Sequence, residues 1–81
     1  MTTVVTKLAD RALLLAEDPI PDEDAAAAEL YAIAAEDAQP GAVLLAALRL
    51  VGERGRAAGD GAPTLQTGRA ARLVVLAFER V

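Results

Sequence analysis

The 81-residue chain carries a net charge of −4, one lysine and two aromatic residues, and has no cysteine, histidine, serine, asparagine or tryptophan. These absences exclude disulfides and thiolate metal frameworks, and they remove the side chains that supply the usual catalytic nucleophiles and bases. A chain of this size forms one domain, residues 1–81, which buries only about 60% of its unfolded surface and is therefore thinly stabilised.

Four stretches with helical periodicity predict an all-α four-helix bundle with helices at 3–17, 22–38, 41–57 and 65–80. In the first, Val5, Leu8, Ala12 and Leu15 share one side at about 100° per residue, and Lys7, Asp10, Arg11 and Glu17 share the other. Leu14 falls among the charges. Pro19 and Pro21 then break the pattern. Asp22 is placed to cap the second helix, with Glu23 and Asp24 favourable to the positive end of its dipole. Ala26, Ala27, Leu30, Ile33 and Ala34 form the inner face of that helix, with Tyr31 at the margin. Ala25, Ala28, Ala32 and Ala35 form an outer stripe flanked by Glu29 and Glu36. Such a stripe serves either helix propensity or the close approach of another helix.

Pro40 suits the first turn of the third helix, where its missing N–H is no loss, with Gln39 as cap. From Val43 to Val51 this helix is apolar around more than half its circumference, which makes it the central one. Gly52, Gly55 and Gly59 each cost about 1 kcal/mol relative to alanine, so fraying is expected beyond Arg54. Residues 59–64, Gly-Asp-Gly-Ala-Pro-Thr, predict a flexible connection. Thr64 offers an N-cap for the last helix, with Thr67 as a rival start. Ala70, Ala71, Val74, Ala77 and Phe78 are read as its inner face, and Arg69, Arg72, Glu79 and Arg80 as its outer face, with Leu76 among them. The apolar run Leu73 to Phe78 also suits a strand, but no second run is present to pair with it.

The chemistry is sparse. Lys7 is the only side-chain amine and lies on the charged face beside Asp10 and Arg11, which does not suit a catalytic base. The chain is similar in size and charge to acyl carrier proteins, but it lacks the serine that would hold the phosphopantetheine arm. Glu17, Asp18, Asp22, Glu23 and Asp24 lack the alternate spacing and central glycine of a calcium loop, so no metal is expected. Gly52, Gly55, Gly59 and Gly61 lack the strand and the Gly-Lys end of a phosphate loop, and read as a helix end and turn. No cofactor or small-molecule substrate is expected. No run approaches the roughly 18 apolar residues of a membrane span, and no signal-peptide layout opens the chain, which predicts a cytoplasmic protein.

Charge is divided along the chain. Residues 1–48 hold nine acids against Lys7 and Arg11, a balance of −7, and residues 49–81 hold six arginines against three acids, a balance of +3. Opposed charges of this kind orient association or neutralise each other inside one bundle. The expected function is non-catalytic protein contact, as a homo-oligomer, an adaptor or an inhibitor of a partner. Its candidate surfaces are Arg69, Arg72, Leu76 and Arg80 on the last helix, the stripe containing Ala28 and Ala32, and Leu14. A variant of this reading has the acidic second helix, through Asp22, Glu23, Asp24, Glu29, Glu36 and Asp37, imitate a nucleic-acid backbone. The alternative is a small DNA-binding regulator that presents Gln66, Thr67, Arg69 and Arg72 to a duplex. Its weaknesses are the negative net charge and a connection too long for a helix-turn-helix.

Overall fold

Local chemistry starts two of the helices. Asp22 sits in extended backbone and accepts from the Ala25 amide at 3.0 Å, opening α2 (Glu23–Ala34). Thr64 does the same for the Thr67 amide at 3.1 Å and opens α4 (Leu65–Phe78), which settles the choice between the two threonines. The remaining helices are α1 (Thr2–Leu15) and α3 (Pro40–Ala58). The computed structural model describes residues 2–58 and 64–81; the expected connection therefore falls outside the described residues except for Thr64. Among the described residues there is no strand, and Leu73 to Phe78 is helical.

The four helices form an all-α bundle in which every helix touches the other three. It is flattened, measuring 36 × 27 × 17 Å, with a radius of gyration of 11.5 Å, close to the roughly 12 Å of a compact chain of this length. Leu8, Leu30, Val43, Leu44, Val51, Leu73 and Val74 are the largest fully buried side chains. Alanine fills much of the remainder: Ala9, Ala12, Ala16, Ala27, Ala34, Ala47, Ala70 and Ala77 are sealed from solvent. Such small side chains let the helices approach closely but bury little area per residue.

Several helix ends differ from the periodicity. α1, α2 and α4 stop two to four residues early because their last turns tighten. Glu17, Glu36 and Arg80 donate their amides three residues back, to Leu14, Ile33 and Ala77. The Asp37 carboxylate then accepts from the Gln39 amide at 3.0 Å, turning the chain toward Pro40.

The expected fraying beyond Arg54 does not occur; α3 runs to Ala58. The reason lies at Gly55, which is buried against α4. A Cβ there would fall 2.5 Å from Thr67 Cγ2 and 2.7 Å from its hydroxyl. Glycine is required for that contact, and the packing it permits offsets its poor helix propensity.

α4 is turned by roughly 40° from the face read from sequence, at about 100° per residue. Thr67 and Leu73 are buried, while Phe78, expected inside, is 47% exposed. Leu76, expected among the outer charges, is half-buried and packs on the core. The turn carries Leu73 into the core and Phe78 out of it, and brings Gln66 and Arg69, on the Leu73 side, to the end of α1.

Candidate functional site

The expected arginine face of α4 is used inside the chain. Arg69 is half-buried and donates from Nε to the Ala16 carbonyl at 2.9 Å and from Nη2 to the Glu17 carbonyl at 3.1 Å. Gln66, one turn before it, donates to the Leu13 carbonyl at 2.8 Å. The end of α1 has no glycine to cap it, and side chains of α4 bond its terminal carbonyls, that of Leu13 also accepting from the Ala16 amide. Arg72 meets the Glu23 carboxylate at 2.7 Å, and Arg80 reaches the Asp24 carbonyl at 3.3 Å. Arg54 of α3 pairs with Asp10 of α1. The basic half of the chain thus meets the acidic half within one molecule.

The remaining pairs join α1 to the α2 segment. Lys7 holds Glu36 at 3.0 Å, and Arg11 holds Glu29 through Nε, with Nη2 3.3 Å from the second carboxylate oxygen. The Arg11 hydrogen bond holds the Glu29 carboxyl below the usual carboxylate range, and Glu29 in turn raises the guanidinium. Beside these pairs lies an open hollow of about 790 Å³, lined by threonines 2, 3 and 6 with Lys7, Asp10, Arg11, Leu14 and Ile33. Leu14 is 53% exposed on its wall. Of the alanine stripe, Ala25, Ala32 and Ala35 are exposed and Ala28 is half-buried, with Ala35 just past the helix end.

A third surface was not singled out in the sequence. Leu44, Leu45, Leu48, Val74, Val75 and Phe78 line a groove of about 230 Å³ between α3 and α4. Leu45, Val75 and Phe78 each leave about half their area in solvent, at 45%, 47% and 47%. The groove extends toward Gly41, where a Cβ would lie 3.6 Å from Val81 and 4.0 Å from Phe78. Val81 is itself 62% exposed. Leu45, Val75, Phe78 and Val81 thus leave uncovered apolar surface along α3 and the end of α4.

The charges beside the groove also stand apart. Among the described residues, Arg49 and Arg56 are the cations with neither an ion pair nor a side-chain hydrogen bond. Both are exposed on α3, two turns apart. The sequence did hold a signal for this site. α3 is apolar over more than half its circumference and α4 carries six consecutive apolar residues, more than one buried stripe accommodates.

The described residues include no acidic cluster arranged to hold a metal ion, and no buried side-chain polar atom among them lacks a partner. No described helix is long and apolar enough to cross a membrane. No known protein family, curated protein or solved structure matches the chain.

Proposed function

We propose that this chain is a non-catalytic cytoplasmic interaction module that acts by protein contact, as a homo-oligomer, an adaptor or an inhibitor of a partner, and that the α3–α4 groove is its principal docking surface. The observation that carries this reading is the uncovered strip of Leu45, Val75 and Phe78 on a bundle whose other cations are satisfied internally. Covering the exposed halves of three such side chains yields roughly 1 kcal/mol each, at about 25 cal/mol per Å². That is a useful share of a specific affinity when a central apolar cluster is rimmed by charge. Leu14, at the mouth of the hollow on α1, is the secondary candidate.

The nucleic-acid alternative draws no support from the geometry. Arg69, Arg72 and Arg80 would have to leave α1 and α2 before meeting phosphate. The imitation of a nucleic-acid backbone by α2 is weakened likewise, since Glu23, Glu29 and Glu36 are paired and Asp22 is a cap.

The test is a photo-cross-linking residue placed at position 45 in the cells that make the protein, with position 14 as comparison. Adduct formation at 45 exceeding that at 14, and abolished by Val75→Asp in a chain that keeps its helical circular dichroism, supports the groove. An unreactive position 45 sinks it.

A further inference from the structure

Building on the interaction-module reading, we infer that the occupant of the α3–α4 groove is a second copy of this chain, packed groove to groove. Three observations favour a copy over an unrelated partner. The first is the internal economy of the bundle: its core relies on alanine, and Leu45, Val75, Phe78 and Val81, which are among the larger apolar side chains available, remain on one side of it. Small domains with a thin core are commonly completed by association. A like face from a second chain supplies what each copy lacks.

The second observation is charge. A chain of net −4 repels its own copy, and the connection between α1 and α2 adds exposed Glu17 and Asp18 with Asp24 nearby. The α3–α4 side is different. Its exposed charges without partners are Arg49 and Arg56 against Glu53 and Glu79, two of each sign. Two acidic chains therefore meet there without net repulsion across the contact.

The third is the distribution of those charges about the groove. Arg49 and Arg56 stand along α3, about one and about three turns beyond Leu45, and Glu79 stands on the α4 flank, next to Phe78. In a two-fold contact the same patch serves both partners. Laying α3 of one copy over α4 of the other brings the arginine flank against the Glu79 flank, twice.

The experiment measures the mass of the purified full chain by sedimentation across a concentration series. Wild type is expected to pass from 8.3 kDa to twice that value. Val75→Asp should weaken the association at least about tenfold, a shift of roughly 1.4 kcal/mol, with helical circular dichroism retained. A surface variant covers the case in which Val75→Asp does not fold. Glu79→Arg alone should weaken the dimer, and adding Arg49→Glu with Arg56→Glu should restore it, because the flanks become complementary again with signs exchanged. A monomer at every concentration overturns the inference, as does a dimer indifferent to both groove and flank variants. If the monomer still cross-links from position 45 to another protein in cells, only the second copy is excluded; if position 45 is silent as well, the interaction reading fails with it.

Discussion

The two edges of α4 solve the same packing problem in opposite ways. Toward α1 and α2 it sends long polar side chains: Gln66 and Arg69 cap the end of one helix, and Arg72 and Arg80 hold the start of the other. Toward α3 it presents Thr67 at one end, seated on Gly55, and Val75 and Phe78 at the other, where the helices leave a groove. The polar edge completes its contacts inside the chain. The apolar edge is closed only where glycine allows close approach, so uncovered area collects at its far end. The docking surface proposed above is what the contacts inside the molecule leave uncovered.

Adjacent leucines give the largest contrast. Leu44 is fully buried and Leu45 is 45% exposed, one residue apart on α3. Leu44→Ala should cost about 2–5 kcal/mol in urea unfolding, from lost burial plus a cavity. Leu45→Ala, measured in dilute solution where any dimer is dissociated, should cost less than about 1 kcal/mol. Equal losses would mean that the groove is closed in the isolated chain.

The glycines of α3 should differ in sign. At Gly55 an added methyl strikes Thr67, a short β-branched side chain with little room to yield. Gly55→Ala is therefore expected to destabilise by about 1–2 kcal/mol despite better helix propensity. At Gly52 the nearest atom to a new Cβ is the mobile end of Arg56, at 3.5 Å. Gly52→Ala should stabilise by up to about 1 kcal/mol. Thermal unfolding of the two variants reads the difference directly, and a stabilising Gly55→Ala would remove the account of why α3 persists to Ala58.

What the sequence disclosed divides along the same line. Periodicity and caps located four helices, because Asp22, Thr64 and Pro40 act on their own neighbours. The rotation of α4 was not legible, since it goes with Gln66 and Arg69 meeting backbone carbonyls at the end of α1. Nor was the persistence of α3, since it depends on Gly55 and Thr67, twelve residues apart, fitting together. An isolated glycine reads as a helix breaker until its partner is known. The arginines were legible in part: their charge and its match to the acidic half are visible in the sequence, but the carbonyls that receive Arg69 and Arg80 are backbone atoms, which no residue pattern displays. The groove was hidden by counting apolar positions on α3 and α4 as core when the bundle had room for only part of them.

Between the arginines the contrast is smaller. Arg69 satisfies carbonyls at the end of α1, whereas Arg49 contacts no acid. Arg69→Ala should lower stability by about 1 kcal/mol, the low end for charge-assisted hydrogen bonds because the site is half-exposed. Arg49→Ala should stay within about 0.5 kcal/mol in the monomer. A comparable loss at Arg49 in dilute solution would place it among the internal contacts and take it out of the flank of the groove.

The smallest expected effect concerns pH and lies on the polar edge of the bundle. Arg11 hydrogen-bonds Glu29 and holds its carboxyl below the usual carboxylate range. The folded chain thus binds this proton less readily than the unfolded chain, and the pair stabilises the fold fully above the unfolded value. That contribution declines as pH falls through the carboxylate range and is gone below the depressed folded value. Glu29→Gln should therefore lower stability slightly at neutral pH and match wild type in strong acid. Both side chains are partly exposed, so added salt should shrink the neutral-pH difference as well. A difference between Glu29→Gln and wild type that persists undiminished in acid would assign the effect to packing of the side chain, and the ion pair would drop out of the explanation for how α1 and α2 are joined.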